Sequence, residues 1–197
     1  MSDVSRRDLL RNIALSATLG GLTADAAQHV HQIAREEKAA TGDYKPKLFT
    51  AHEYKTVQRL ADLIIPADEV SKGALDAGAP EFIDLMASGN DRIAAIYTGG
   101  IAWLDRAMEK RHGAKFIDAR PEQQTAMLDL IAFRRNLSPE LAPGIHFFEW
   151  ARKMVADAFY TSKVGIEDLG FKGNVGMSQF QVPVEALEHA LQRSGLK

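Results

Sequence analysis

The sequence contains no cysteine. That absence excludes disulfides, thiol nucleophiles, thiolate ligation of iron–sulfur clusters and the Cys-x-x-Cys-His attachment of a c-type haem. Any redox centre must therefore sit on another chain or be held noncovalently. An excess of positive charge is missing too, since 24 Lys and Arg stand against 26 Asp and Glu for a formal net charge of -2. Nucleic-acid phosphates need a clustered basic surface, so no nucleic-acid partner is expected. Windows of alternating apolar and polar residues rich in β-branched side chains, which a sheet would require, do not occur. Nor does any repeat of fixed period. What remains is a chain of 197 residues, 46% of them hydrophobic, long enough for one sizeable core. The prediction is an all-α fold: a single compact helical domain with an N-terminal signal helix and an irregular glycine-rich C-terminal segment.

The N-terminus carries S-R-R-x-L-L-R from Ser5 to Arg11, a mildly apolar run from Ile13 to Leu22, and then Ala24-Asp25-Ala26. A charged region, an apolar region and an A-x-A site in that order are the parts of an export leader. As a helix the apolar run rises only ~15 to 20 Å at 1.5 Å per residue, against a hydrocarbon core of ~30 Å, so it is too short for a comfortable permanent span. The pattern resembles a twin-arginine signal, read by a translocase that moves proteins already folded. Arg6 and Arg7 match its arginine pair, Leu9 and Leu10 the apolar positions after it. The competing reading is an ordinary amphipathic helix with solvated arginines. The expected division is a signal peptide over 1–26, an N-terminal helix and linker over 27–47, and a helical domain over 48–197. A retained leader helix running on through QHVHQIAREEKAA is the alternative to cleavage after Ala26.

Further along, Thr50 and Glu53 have capping-box spacing, with Phe49 and Tyr54 placed as a hydrophobic staple. The helix they open presents Tyr54, Val57, Leu60, Ala61 and Ile64 on one face and ends before Pro66. Pro80 opens a short helix carrying Phe82, Ile83 and Met86, and Asn90 caps a longer one that stops near Gly113. Gly99 and Gly100 lie inside that helix, where each costs about 1 kcal/mol relative to alanine, so a kink or a close helix approach is expected. Another helix begins at Pro121 with Met127, Leu128 and Ile131 inward. After the turn LSPELAPG, the segment IHFFEWARKMVADAFY is the most apolar helix and the candidate central one. TSKVGIEDLGFKGNVGMSQFQ reads as irregular, and Pro183 starts a last helix, VEALEHALQR.

Candidate chemistry is sparse. His29, His31, His52, His112, His146 and His189 form no H-x-x-x-H or H-E-x-x-H pair, so no metal site is expected. Gly170, Gly173 and Gly176 lack the spacing and preceding strand of a dinucleotide loop. Asp68, Glu69 and Asp76 read as a solvated loop or helix caps, and no catalytic or cofactor-binding residue is assigned. Aromatics crowd the last third, and IHFFEWARKMVADAFY spreads them over more than one helix face. Either that helix is enclosed on all sides or part of it meets another protein.

The segments DLIIPADEVSKGALDAGAPEFIDLM, PEQQTAMLDLIA and FYTSKVGIEDLGFKGN, together with the leader, resemble the gluconate 2-dehydrogenase subunit 3 family, the small subunits of bacterial FAD-dependent sugar dehydrogenases. The resemblance implies a noncatalytic subunit with no cofactor of its own. Its implied partner is a large flavoprotein of glucose-methanol-choline type that binds FAD and oxidises a sugar, sugar acid or glycoside. A multihaem cytochrome c, carrying haem c, often accepts the electrons, and the twin-arginine translocase is a transient partner. Localisation would be periplasmic, with any membrane association coming through the complex. A subunit that folds before export cannot rely on periplasmic disulfides, which agrees with the absent cysteine. An escort must stay bound through transport, so a large apolar interface is expected, with Phe147, Trp150, Phe159, Tyr160, Phe171 and Phe180 as its candidates. The other reading is a freestanding exported all-α ligand-binding protein whose pocket is lined by Trp103, Trp150 and neighbouring apolar groups.

Overall fold

The computed structural model describes residues 23–170 and 182–194. Among them run eight α-helices and two short 3-10 turns, with no strand, so the predicted all-α class holds. Arg6, Arg7, Leu9 and Leu10 of the leader, and Phe171 and Phe180 of the tail, lie outside the described residues.

Helix α1, Ala24–Thr41, is capped by Thr23, whose side chain accepts from the Ala26 N–H. The expected boundary between residues 26 and 27 thus falls in its first turn. Ala27, Val30, Ile33 and Ala34 are buried, with the helix lying against α3, Ala79–Ser88. Helix α2, Ala51–Ile64, opens with the anticipated capping box: the Thr50 N–H donates to Glu53 Oε2 at 2.9 Å, and the Glu53 N–H to Thr50 Oγ1 at 3.3 Å. Val57, Leu60 and Ala61 face inward. The ring partner of Phe49 is Tyr97 and that of Tyr54 is Tyr44. Proline at position 66 follows the end of α2, as its missing N–H requires.

Helix α3 is enclosed on nearly every side, with Ala79, Pro80 and Phe82 through Ala87 buried. At its centre Asp84 is fully buried. A carboxylate out of water is costly unless its oxygens are filled. Here Tyr44 Oη donates at 2.8 Å, and the backbone N–H groups of Lys47, Leu48 and Phe49 donate at 2.6, 3.1 and 3.1 Å. Charge-assisted bonds of this kind are the stronger class. The stretch expected to be a polar linker is consequently fastened to the innermost helix. Burial and the nearby Asp84 charge push the Tyr44 phenol far above its ordinary range.

Helix α4, Asp91–His112, is capped by Asn90 Oδ1, which accepts from the N–H groups of Arg92 and Ile93, and ends at Gly113 with φ 73°. A 3-10 turn at Phe116–Asp118 leads to α5, Pro121–Ile131, and a second at Arg134–Asn136 leads to α6, Ala142–Tyr160. Helix α6 starts three residues before the expected Ile145, because Pro143 near its N-terminus fits a first turn that needs no N–H donor. It packs against α2, α3, α4 and α5, and so occupies the centre as anticipated. The close approach foreseen at the glycine pair occurs at Gly100, where a Cβ would come within 2.2 Å of the Phe147 ring, while Gly99 faces open space. Gly144 makes the reciprocal allowance, since a Cβ there would lie 2.1 Å from the Trp103 ring.

The segment after Tyr160 is more ordered than expected. Ser162 Oγ accepts from the Gly165 N–H at 3.1 Å and starts α7, Lys163–Asp168. Composition hid this helix, because the glycine that reads as a breaker lies where the chain doubles back on Phe159: a Cβ on Gly165 would be 2.1 Å from the Phe159 carbonyl oxygen. The last helix, α8, Val184–Ser194, follows Pro183 as foreseen. Replacing Asp84 by alanine strands three backbone donors and a phenol, and should lower unfolding stability by about 3 to 5 kcal/mol. Tyr44→Phe should cost only about 1 kcal/mol. Urea denaturation of both variants checks this, and equal losses would contradict the central role of the carboxylate.

Candidate partner-docking surface

The aromatic residues singled out on α6 divide into two groups. Phe147 and Phe159 are each 1% exposed. Phe147 sits edge-on to Tyr97, with ring centroids 5.7 Å apart and planes at 89°. These two side chains are used in the chain's own interior and present no surface. Trp150 is half-buried against the core, and its outer face lies beneath the Arg92 guanidinium at 5.8 Å and the Lys153 ammonium at 5.7 Å. Tyr160 is 46% exposed and stands edge-on to Phe159. Trp150 and Tyr160 are ten residues apart on one helix, roughly 15 Å along its axis, so they do not form one compact patch. Phe148, Met154 and Val155 are buried as well. The large apolar side chains of α6 are therefore mostly enclosed, and Trp150 and Tyr160 are the aromatic ones that reach the surface.

Beside Trp150 runs a groove of about 390 Å³ between α4 and α6, lined by Arg92, Ala95, Ile96, Gly99, Pro143 and His146 among others. The bare backbone of Gly99 leaves its floor open, while Gly100 beneath brings the two helices together. The positions 92, 95, 96 and 99 recur at the i, i+3, i+4, i+7 spacing of one helix face. That spacing was readable, but only the fold shows which face stays open. A second apolar cluster surrounds the 3-10 turn Arg134–Asn136, where Leu130, Phe133 and Leu137 are exposed. The Arg135 guanidinium lies 4.3 Å over the Phe133 ring, Asn136 Nδ2 donates to the Leu130 carbonyl, and Arg134 pairs with Glu149. Both clusters combine apolar surface with arginine, a composition enriched where proteins meet.

The acidic loop residues and His52 are engaged in holding loops and helices. Asp68 Oδ1 accepts from the Val70 and Ser71 N–H groups at 2.8 and 2.7 Å, which holds its pKa below the usual carboxylate value. Asp76 accepts from the Gly73 N–H. His52 Nε2 meets Asp105 Oδ2 at 2.5 Å, while Asp105 Oδ1 accepts from the Phe116 N–H, so that one carboxylate joins α2, α4 and the first 3-10 turn. Among the described residues no group of three or more His, Asp or Glu is placed to hold a metal ion. Trp103 abuts Gly144 whereas Trp150 lies under Arg92 and Lys153, so the two tryptophans are separately engaged.

Among the described residues His31 is the one buried histidine, 4% exposed and tilted against the Phe82 ring with centroids 4.9 Å apart. It lies beside an open groove between α1 and α7 that also includes Asp25, His29, Arg35 and Lys163. Thr161 Oγ1 donates to the Asp157 carbonyl and also lies 3.2 Å from His31 Nε2. Burial lowers the imidazole pKa to about 4, partly opposed by a hydrogen bond to the Ala158 backbone and helped by the Arg35 charge.

The family model described as Gluconate 2-dehydrogenase subunit 3 matches residues 51–177. Comparisons with curated proteins and with solved structures give no match.

The His31 shift makes a pH prediction. The folded chain holds the ring neutral, while the unfolded chain protonates it below its ordinary pKa of about 6.5. Stability is therefore full above pH 6.5 and declines as the pH falls, levelling off near pH 4 after a loss of at most about 3 kcal/mol. His31→Gln should remove this part of the acid sensitivity, read as a smaller fall in melting temperature between pH 7.5 and 4.5. An unchanged fall would show that His31 does not titrate as described.

Proposed function

Since the chain belongs to the gluconate 2-dehydrogenase subunit 3 family, we propose that it is the noncatalytic small subunit of a periplasmic FAD-dependent sugar or glycoside dehydrogenase. In this reading it binds the flavoprotein large subunit of glucose-methanol-choline type, stabilises it and escorts it through the twin-arginine pathway. The family match over residues 51–177 carries the proposal, and the S-R-R-x-L-L-R leader supports the export half of it. Substrate oxidation belongs to the FAD of the large subunit, and a multihaem cytochrome c is a candidate electron acceptor.

The physical logic joins the two halves. A flavoprotein closes around FAD as it folds, so cofactor and protein can cross a membrane together only by a route that accepts folded cargo. A large subunit without its own leader would then travel on the leader of this chain. Transport favours an interface that survives mechanical passage, built around a few desolvated aromatic and arginine side chains. Trp150, beneath Lys153 and beneath the Arg92 that also lines the α4–α6 groove, has that composition.

Arg6→Lys combined with Arg7→Lys should leave both subunits folded and active in the cytoplasm and reduce periplasmic dehydrogenase activity at least about tenfold. Unchanged periplasmic activity would refute the escort role. Trp150→Ala, checked for an intact fold by circular dichroism, should weaken the complex by about 2 kcal/mol, or roughly thirtyfold in Kd. Leu137→Asp on the second cluster should leave binding unaltered. Copurification of the flavoprotein with each variant reads the difference, and the reverse pattern would move the interface to the Leu130–Phe133–Leu137 face.

A further inference from the structure

The Ala24-Asp25-Ala26 sequence has the form of a processing site, and its form implies a conformation. Two small residues at i and i+2 lie on the same side of an extended chain but about 200° apart around a helix. A peptidase that reads both therefore needs the chain extended. The structure places the site differently. Ala24, Asp25 and Ala26 open α1, and the Ala26–Ala27 bond lies in its first turn. The Ala27 N–H donates to the Thr23 carbonyl at 3.0 Å, and the Ala26 N–H to Thr23 Oγ1 at 3.3 Å. Asp25 adds a negative charge at the positive end of the helix dipole.

Burial closes the site further. Ala27 and Val30 are 0% exposed, and Ile33 and Ala34 follow them into the core. Extending the chain through the Ala26–Ala27 bond breaks both Thr23 contacts and withdraws Ala27 from its packing. Cleavage of a folded segment proceeds through the fraction of molecules locally opened.

We infer that folding closes the Ala26–Ala27 bond to signal peptidase, so that docking of α1 decides whether the leader stays on the subunit. This rests on the export-leader reading above. A subunit exported in the folded state arrives with the bond already sealed. The leader then remains joined to the subunit until the first turn unwinds.

The test uses the purified full-length chain, folded, beside a synthetic peptide of residues 1–40, both incubated with signal peptidase in detergent micelles and followed by mass spectrometry. An isolated helix of this length is marginal in water, so the peptide exposes the bond. The expected result is cleavage of the peptide after Ala26, with the folded chain cut at least about tenfold more slowly. Val30→Asp, which undocks α1, should bring the rate in the full chain toward that of the peptide. Equal rates for wild-type chain and peptide would overturn the inference while leaving the leader reading intact. A peptide that is not cut after Ala26 would overturn both the inference and the assignment of the site. Export is not scored in this assay, so failure of the escort role in cells would be distinguishable from either result.

Discussion

The carboxylate of Asp84 is the point on which the arrangement of this chain depends. It lies in the most enclosed helix and is satisfied entirely by groups from the segment before α2: one phenol and three successive backbone donors. Because those donors come from Lys47, Leu48 and Phe49, the carboxylate fixes the direction in which the chain enters α2. It also delivers the Phe49 ring to Tyr97, which in turn meets Phe147. A single buried carboxylate thus links the segment 44–49, which precedes the matched family region, to a helix inside that region. Apolar contacts alone would bury the same area without specifying this register.

The two ends of the chain relate to this core in opposite ways. Helix α1 commits Ala27, Val30, Ile33 and Ala34 to it and adds the His31 contact with Thr161 beyond α6. Helix α8 carries Val184, Leu187 and Leu191 at helical spacing, yet all three are exposed. Helix α1 is therefore tied to the folded body, whereas the apolar side chains of α8 are not buried against it.

Much of this architecture was legible in the sequence because it is encoded locally. The Thr50–Glu53 box, the Asn90 cap, Pro80, Pro121 and Pro183 near helix starts and Gly113 after a helix end each act within one turn, and each is found where expected. What escaped is what needs a distant partner. Asp84 reads as a polar interruption in EFIDLM until residues 44–49 arrive around it. Ser162 reads as part of a glycine-rich coil until Gly165 is seen folding against Phe159. Phe147 and Phe159 were candidates for a partner interface, but packing of α6 against four other helices makes both interior. The α4–α6 groove was equally hidden, since its lining comes from two segments some fifty residues apart.

The crossing of α4 and α6 is an exchange in which each helix yields a glycine to an aromatic ring of the other: Gly100 to Phe147, and Gly144 to Trp103. Sliding α4 by one turn would bring the side chain of Ile96 or Leu104 to the place of Gly100, where the Phe147 ring needs bare backbone, so the crossing admits a single alignment. The consequence is evolutionary. Neither glycine can acquire a methyl group independently of the ring it faces, and drift at this crossing must proceed by paired replacement, with ring size and backbone bareness inherited together.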